Sequence, residues 1–207
     1  MKDVAVSVIV SAYNEEKTIE RVVDDLLKIS FLNEIIIIDD GSKDDTKNIL
    51  EKFVGFTKIK VIFNKRNQGK GHSITQGLEI SKGELILILD ADIINYTESD
   101  LKLLMNPVLN GECDYTMKMT DNTKTKFTSG VRVYWKKDLV PLLNEMKNTT
   151  RYGLEVMLNK YLVHKKGKFV TLRDYKHFQK FEKYPLPQAM WEYLKEGVSI
   201  LMQVVKQ

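Results

Sequence analysis

Apolar residues come in short, nearly continuous runs between positions 4 and 89, and each run ends at a polar loop. The runs are rich in β-branched residues, a pattern that predicts strands buried on both faces of a parallel sheet. The predicted strands cover residues 4–10, 34–38, 58–63 and 85–89. Between them, helical spacing predicts helices over 17–29, over 44–53 and up to residue 80. Their alternation predicts an α/β fold, a Rossmann-like and mostly parallel sheet flanked by helices.

The pattern is less regular after residue 94. Helical spacing predicts helices over 97–109, 138–146 and 151–163, and apolar runs predict strands over 114–119 and 168–172. The polar segment 120–128 between them predicts a flexible loop. After Pro185 and Pro187, a last helix is predicted to run to the C-terminus. Its apolar stripe consists of Met190, Leu194, Val198, Leu201 and Val205.

Capping and breaking residues predict where several helices begin and end. Asn14, followed by two glutamates, is predicted to cap the helix over 17–29. Thr97 is predicted to cap the next long helix, and Pro107 predicts that this helix ends or kinks early. Gly167 is predicted to stop the helix that precedes it.

The composition is that of an ordinary globular protein, with 207 residues, of which 43% are hydrophobic and 29% charged. This length predicts one domain. The net charge of +4, with acidic and basic residues interspersed, argues against a nucleic-acid-binding protein. The single cysteine, Cys113, allows no intrachain disulfide and is expected in the core of a protein from a reducing compartment. We expect no signal peptide, and no apolar run approaches the ~18 residues of a membrane span, so a cytoplasmic location is predicted.

The apolar run at 85–89 stops abruptly at two carboxylates, Asp90 and Asp92. Because one small residue separates them, their side chains emerge on the same side of an extended chain. Two carboxylates so close together repel each other, and a bound cation relieves that repulsion. Oxygen ligands suit Mg²⁺ or Mn²⁺. The alternative is an ordinary solvated loop after a strand.

Right-handed crossovers bring the carboxyl ends of the predicted parallel strands to one edge of the sheet. We therefore expect segments 11–15, 39–42, 69–71 and 90–92 to face one crevice. The sequence contains neither the G-x-G-x-x-G dinucleotide fingerprint nor a P-loop. Any phosphate in this crevice is therefore held by other groups.

Four polar motifs follow one another in a recognisable order. They are Ser11-Ala12-Tyr13-Asn14-Glu15-Glu16, Asp39-Asp40-Gly41-Ser42, Asn67-Gln68-Gly69-Lys70-Gly71 and Asp90-Ala91-Asp92. In this order they resemble the family 2 glycosyltransferases, which have the nucleotide-sugar-binding fold called GT-A. The close resemblance covers residues 6–94. It implies a single GT-A domain, with a nucleotide-sugar-binding half at 1–94, an acceptor-side half at 95–184 and a C-terminal amphipathic helix at 185–207.

The resemblance implies that the first two motifs bind the nucleoside of a nucleotide-diphospho-sugar donor. The first loop is expected to lie against the base and ribose through Ala12, Tyr13, Asn14 and Glu15. The second motif, Asp39 to Ser42 with Gly41 at its turn, is expected to supply an acid that contacts the base. In such enzymes this acid is most often the second of the pair, here Asp40.

The other two motifs are implied to bind the diphosphate and the sugar. Lys70 resembles a nucleotide-contacting lysine, and Gly69 beside it lets the backbone approach the ligand. The alternative for Lys70 is a solvated lysine at a helix start. Asp90 is expected near the ribose or the donor sugar, next to Ala91, and Asp92 is expected to bind Mg²⁺ or Mn²⁺. The family is most often inverting, with one direct displacement at the anomeric carbon.

The second half carries two segments that resemble the acceptor side of such enzymes. One is Ser129-Gly130-Val131-Arg132, a small turn before a strand. The other is Tyr152-Gly153-Leu154-Glu155, which is similar to a motif of polyprenyl-phosphate sugar transferases and phosphoglycerate sugar synthases. Glu155 there is a candidate base for an acceptor hydroxyl, and Asp90 is a second candidate. The alternative is that Glu155 only decorates a helix whose other face packs inward.

His177 follows the last predicted strand, in the segment Arg173-Asp174-Tyr175-Lys176-His177. Related transferases position a histidine here that completes the metal shell, and a neutral imidazole is an acceptable ligand for Mn²⁺. The alternative is a solvent-exposed loop histidine.

The acceptor stays open between a hydroxyl compound and a polyprenyl phosphate. A hydroxyl must lose a proton, whereas a lipid phosphate is already an anion and needs only cations to position it. Candidate cations are Lys136, Lys137, Lys176, Lys180 and Lys183. The C-terminal helix predicts either peripheral contact with the inner face of a membrane or a homodimer, although docking on the core is the more common arrangement.

Three other functions compete with a glycosyltransferase. A nucleotidyltransferase shares the fold logic but normally has a glycine-rich, basic first loop, whereas residues 11–16 are acidic. A phosphoacceptor signalling domain carries its acid pair after the first strand, and this chain carries Asp39-Asp40 after the second. A sugar-nucleotide-binding protein without catalytic activity is the third alternative.

Overall fold

The computed structural model describes residues 4–119, 129–149, 153–172, 176–177, 182 and 186–205. The predicted loop at 120–128 lies outside the described residues, as do Tyr152, the segment 173–175, Lys180 and Lys183.

A seven-stranded sheet forms the centre of the fold. Its strands are β1 (Val6–Ala12), β2 (Glu34–Asp39), β3 (Ile59–Phe63), β4 (Leu85–Asp90), β6 (Tyr115–Lys118), β7 (Arg132–Trp135) and β8 (Gly167–Val170). Their order is β3-β2-β1-β4-β7-β6-β8. The first four neighbours are parallel, and β7 runs antiparallel to both β4 and β6. The shorter strands β5 (Ile93–Ile94) and β9 (Lys176–His177) form a separate antiparallel pair.

Helices cover both faces of this sheet, as the apolar pattern predicts. They are α1 (Ile19–Leu27), α2 (Thr46–Glu51), α3 (Lys70–Ile80), α4 (Glu98–Leu109), α5 (Lys136–Leu139), α6 (Leu143–Lys147), α7 (Leu154–Tyr161) and α8 (Leu186–Val205), with a 3₁₀ turn at Val140–Leu142. Within the described part of the chain, none of these helices is long and apolar enough to cross a membrane.

Alternate residues of the central strands pack into two cores. On β4, Leu85, Leu87 and Leu89 join the core beneath α1 and α4, whereas Ile86 and Ile88 join the core beneath α3 and α7. All five side chains are at most 1% exposed. The prediction of a strand buried on both faces is therefore confirmed, and burial explains why this run contains no polar residue.

Two predictions about helix ends are wrong, and a third is wrong in part. The helix α4 does not end at Pro107 but continues to Leu109, because the proline lies near its end and Leu103, whose carbonyl loses its usual partner, is half exposed to water. Gly167 starts strand β8 instead of stopping a helix. Asn14 does not cap α1, because the helix starts only at Ile19.

The prediction that Thr97 caps α4 is confirmed. Its hydroxyl accepts the backbone N–H of Asp100, and the Asp100 carboxylate accepts the backbone N–H of Thr97, which makes a capping box. The predicted helix over 138–146 is divided between α5 and α6 by the 3₁₀ turn that contains Pro141.

The register of the parallel strands brings their polar ends together. Ala12 on β1 pairs with Asp39 on β2, and Ser11 pairs with Asp90 on β4. The loops that follow these three strands therefore start at one edge of the sheet, as predicted from right-handed crossovers.

A buried carboxylate stabilises the opposite edge of the sheet. Glu34 accepts hydrogen bonds from the hydroxyl of Ser7 at 2.6 Å, from the ammonium of Lys60 at 2.5 Å and from the backbone N–H of Lys82. Burial by itself raises the pKa of Glu34, but these three donors outweigh burial and lower the pKa below its ordinary 4.5.

We predict that Glu34→Gln lowers the free energy of unfolding by about 2 kcal/mol at neutral pH, because hydrogen bonds to a charged group are lost. A lowered folded-state pKa stabilises the protein above the unfolded-state value, and this contribution disappears as the pH falls from 4.5 through the folded-state pKa. The difference between the two proteins should therefore shrink in acid. Urea unfolding at several pH values measures this difference.

Glu112→Gln, at an exposed ion pair with Lys168, is the control. An equal loss of stability in both variants would contradict the prediction.

Candidate functional site

An ammonium group at the start of α3 lies between two carboxylates. The Nζ atom of Lys70 is 2.6 Å from Oδ1 of Asp90 and 2.7 Å from Oε1 of Glu155. Burial by itself lowers the pKa of Lys70, but the two carboxylates outweigh it and raise the pKa well above its ordinary value. Lys70 is therefore a charged, largely enclosed group and not a solvated lysine at a helix start. It joins the end of β4 to α7.

Gly130 lies directly against this ion pair. A Cβ atom at this position would be 2.1 Å from Oδ1 of Asp90 and 2.2 Å from Nζ of Lys70. Only a residue without a side chain lets the turn before β7 approach so closely. The structure thus places the glycine of the predicted acceptor-side segment against these charges, and the acceptor-side role of the segment stays a prediction.

Arg132 is a buried residue of the predicted acceptor-side segment. Its side chain is only 1% exposed. Its Nε donates to the carbonyl of Ser129 at 2.6 Å, and one guanidinium N–H donates to Oδ1 of Asn159 at 2.8 Å. These bonds hold the 129–130 turn against α7, so the buried Arg132 supports the predicted acceptor-side segment from inside the protein, and a contact of Arg132 with the acceptor stays a prediction. Gly153, another predicted acceptor-side residue, is the residue directly before α7.

Asp92 and His177 lie next to each other, as predicted. The antiparallel pairing of β5 with β9 places His177 opposite Ile93, and its Nε2 is 3.4 Å from Oδ2 of Asp92. The hydrogen bond with Asp92 raises the pKa of His177, while burial opposes this increase. The two side chains are 21% and 41% exposed, so both remain accessible from the crevice.

This pair offers one carboxylate and one imidazole to a divalent cation. Within the part of the chain that the structure describes, no three His, Cys, Asp or Glu side chains form a metal-binding cluster. Mg²⁺ is usually bound by one or two protein carboxylates together with substrate phosphates and water. Asp92 and His177 therefore fit as the protein's share of a Mg²⁺ or Mn²⁺ shell whose other ligands come from a diphosphate.

Hydrogen bonds between backbone N–H groups and side chains fix the first loop to the second loop and to the start of α2. The N–H of Asn14 donates to the hydroxyl of Ser42 at 2.9 Å, and the N–H of Glu15 donates to the hydroxyl of Thr46 at 2.8 Å. In return, the side chain of Asn14 accepts the N–H of Lys43 at 2.8 Å. Both loops are thus held together at the end of the sheet.

Ala12 and Tyr13 lie at the start of this first loop. Ala12 is the last residue of β1 and is buried, and Tyr13 beside it is half buried. Both predicted contact residues therefore lie at the predicted edge of the sheet.

Asp40 is a buried carboxylate next to the loop before α3. It is 2% exposed, and its carboxylate accepts the backbone N–H groups of Gln68 and Gly69, the latter at 2.7 Å. It also accepts from Nδ2 of Asn64 at 3.0 Å. Through these donors the carboxylate holds the loop before α3, a structural role that the sequence did not predict, and the contact with the base stays a prediction. Its neighbour Asp39 accepts the N–H of Ser42 through Oδ1 at 3.0 Å.

Two glycines permit this close packing. Gly41 has φ of +73°, and a Cβ atom there would be 2.6 Å from the backbone of Arg66. Gly69 has φ of +97° immediately before α3, a conformation that glycine adopts without strain.

Sequence reasoning missed the residues that brace these loops. Asn64 and Gln68 bind Asp40, Asn159 binds Arg132, and the hydroxyl of Thr18 donates to the carbonyl of Ala91. Their side chains carry no pattern of their own. The one signal that could have identified Thr18 is its place directly before an apolar helical stripe, where a polar residue often caps a helix.

The site as a whole has a surplus of negative charge. The carboxylates of Asp90 and Glu155 flank the ammonium of Lys70, and the carboxylate of Asp92 lies beside His177 just after β4. Such a surplus attracts a divalent cation. With that cation, the same edge can hold an anionic ligand beside a carboxylate that accepts a proton.

We predict that Gly130→Ala lowers the free energy of unfolding by about 1–3 kcal/mol, because the added methyl group must displace the Lys70–Asp90 ion pair or the turn. Urea unfolding measures the loss, and a crystal structure of the variant should show a longer Lys70–Asp90 distance. Gly197→Ala is the control, since nothing lies within 4 Å of its added methyl group. Unchanged stability of Gly130→Ala would contradict the prediction.

The sequence of this chain is similar to known proteins. A family model described as Glycosyl transferase family 2 matches residues 7–177. Human dolichyl-phosphate beta-glucosyltransferase is 40% identical over 98 residues, which are 42% of this chain and 30% of the human protein. Glucosyl-3-phosphoglycerate synthase of Mycobacterium tuberculosis is 29% identical over 117 residues, which are 52% of this chain and 35% of that protein.

The fold also matches a solved structure. The crystal structure of the mycobacterial glucosyl-3-phosphoglycerate synthase in complex with Mn²⁺, UDP and phosphoglyceric acid superposes with a TM-score of 0.72 at 20% identity. The match covers 97% of this chain and 78% of that chain, so the two share the GT-A fold. The chain spans only about a third of the length of the two curated relatives above. Because the family model covers well over half of its residues, this chain belongs to glycosyl transferase family 2.

Proposed function

We propose that this chain is the catalytic domain of a metal-dependent glycosyltransferase that uses a UDP- or GDP-sugar. One observation carries the proposal: in a family 2 chain, the end of β4 brings together the Lys70–Asp90 ion pair, which also includes Glu155 of α7, and the Asp92–His177 pair. In open α/β sheets that edge is where ligands bind. The presence of Mn²⁺ and UDP in the mycobacterial structure supports the same assignment.

Asp92 and His177 are proposed to hold Mg²⁺ or Mn²⁺. When bound, this cation supplies positive charge that stabilises the departing nucleoside diphosphate. Lys70 is proposed to keep Asp90 in place beside the ribose or donor sugar. The backbone of Gly69 and the first loop, from Ala12 to Glu15, are proposed to border the nucleoside.

Asp39 is a better candidate than Asp40 for a contact with the base. Both side chains are buried, but the carboxylate of Asp40 already accepts three donors of the loop before α3. Among the described residues, the carboxylate of Asp39 accepts one hydrogen bond, from the N–H of Ser42 to Oδ1. We propose that Asp40 shapes the pocket and that Asp39 faces the base.

The proposed reaction is one direct displacement with inversion at the anomeric carbon. The acceptor oxygen forms a bond to that carbon while the bond to the diphosphate oxygen breaks, and the nucleoside diphosphate leaves with the electron pair. A hydroxyl acceptor gives its proton to a carboxylate, for which Glu155 is the candidate because it is 8% exposed at the acceptor side and is oriented by Lys70.

A polyprenyl phosphate is the second candidate acceptor. It is favoured by the similarity to a dolichyl-phosphate glucosyltransferase, and as an anion it needs no base. The outer face of α8 supports peripheral contact with the inner face of a membrane or a homodimer, since Met190, Trp191, Leu194 and Val198 are each more than half exposed. A cytoplasmic location remains a prediction from the sequence.

We predict that a UDP- or GDP-sugar stabilises the protein only when Mn²⁺ or Mg²⁺ is present. A ligand at about 100 times its Kd adds about 2.7 kcal/mol to the free energy of unfolding. Thermal shift with UDP-, GDP-, CDP- and dTDP-sugars, with and without metal, measures this response. Asp92→Ala should abolish the metal-dependent part, whereas Asp24→Ala, on the exposed face of α1, should retain it. The proposed site is wrong if no nucleotide stabilises the wild-type protein.

We predict that Glu155→Gln reduces turnover on a hydroxyl acceptor by about 10²–10⁴-fold, because a positioned base is lost. Donor binding, measured by thermal shift, should persist. Initial rates with the donor identified above provide the measurement, and Glu112→Gln at the remote surface pair with Lys168 is the control. Full turnover of the hydroxyl acceptor by Glu155→Gln would remove the base assignment from Glu155 and favour Asp90, the second candidate base.

A further inference from the structure

A buried hydroxyl from α1 reaches the turn that carries the two site aspartates. Oγ1 of Thr18 is 2.8 Å from the carbonyl oxygen of Ala91, and Thr18 is 1% exposed. Two acceptors on Glu15 are farther away, at 3.1 and 3.3 Å. Because a hydroxyl has one proton, we assign it to the nearest acceptor, the Ala91 carbonyl.

The hydroxyl of Thr18 does not cap the helix, although its position at the start of α1 normally implies that role. Thr18 is the N-cap residue of α1, and threonine there usually accepts a backbone N–H of the first turn. Its side chain makes no such cap bond. The hydroxyl instead joins two segments that are 73 residues apart in sequence.

The Ala91 carbonyl is well placed to control the site. It lies between Asp90, which binds Lys70, and Asp92, which contacts His177. Ala91 is 4% exposed, so bulk water has little access to its carbonyl. This carbonyl belongs to the planar peptide group that joins Ala91 to Asp92. Its orientation therefore affects the position of the Asp92 backbone and the direction of the Asp92 carboxylate.

Thr18 is itself held in place. Its backbone N–H donates to the carbonyl of Glu15 at 3.0 Å, and its carbonyl accepts the N–H of Val22 at 3.0 Å. The N–H of Glu15 in turn donates to the hydroxyl of Thr46 at the start of α2. The hydroxyl of Thr18 is therefore attached to a braced segment and offers a fixed point for the turn.

We propose that Thr18 is a positioning residue that holds the 90–92 turn in the geometry needed for metal and donor binding. This inference rests on the proposed function for its consequence, since Thr18 acts through Asp92 and touches no ligand. Partners that orient a metal ligand from behind typically change metal affinity by 10–100-fold when they are removed.

A structural explanation competes with this one. The hydroxyl could serve only to satisfy a buried carbonyl, in which case its loss would lower stability without changing metal dependence. Thr116 offers a matched comparison for that effect. It is also fully buried, and its hydroxyl donates to the carbonyl of Leu104 at 2.7 Å, between β6 and α4.

The test compares Thr18→Val, which removes the hydroxyl, with Thr18→Ser, which retains it, and with Thr116→Val. For each protein, thermal shift at saturating UDP gives the Mn²⁺ concentration needed for half of the maximal stabilisation. We expect Thr18→Val to need at least about tenfold more Mn²⁺, and Thr18→Ser and Thr116→Val to stay within about twofold of wild type. The same Mn²⁺ requirement in Thr18→Val and wild type, or an equal shift in Thr116→Val, would overturn the proposal.

A second measurement needs neither metal nor nucleotide. Hydrogen exchange should become faster at the backbone amides of residues 91–94 in Thr18→Val, and in Thr116→Val it should become faster only around residues 104 and 116. Unchanged exchange at 91–94 would also overturn the proposal. If wild-type protein responds to GDP and not to UDP, GDP replaces UDP in the Mn²⁺ titration. If it responds to neither nucleotide with Mn²⁺, the proposed function fails, while exchange still decides whether Thr18 holds the turn.

Discussion

The site depends on the balance of charge around Lys70. Its ammonium lies 2.6 and 2.7 Å from two carboxylates that come from distant parts of the chain, Asp90 on β4 and Glu155 on α7. Enclosing three charges costs free energy, and the cost is offset only while all three remain paired. This interaction joins the two halves of the fold, and the bare backbone of Gly130 makes room for it.

The loops around this ion pair support one another instead of standing alone. Asp40 holds the loop before α3, Ser42 holds the first loop, and Thr18 holds the turn after β4. Each bond uses a short polar side chain and a backbone group, so little conformational freedom remains at this edge. An arrangement fixed in advance reduces the entropy that a ligand must lose to order the site.

Much of the fold and the location of the site followed from local pattern. The unbroken run before Asp90 predicted a doubly buried strand, and the order of the acidic motifs placed them at one edge. The pairing of Asp92 with His177 was also predicted, from a resemblance and not from spacing. The roles of Asp40 and Arg132 were not, because whether a polar side chain faces the crevice or the interior depends on partners far away in sequence.

The sequence by itself determined the alternation of strands and helices and the charges at the ends of β1, β2 and β4, because hydrophobic periodicity and chain direction are local properties. Only the tertiary structure decided which of those charges stay accessible. The carboxylate of Asp40 accepts a backbone N–H of the loop before α3, and the ammonium of Lys70 is paired with carboxylates. The hydroxyl of Thr18 donates to a carbonyl 73 residues away. These outcomes are set by packing between distant segments, where each buried polar group must find a partner.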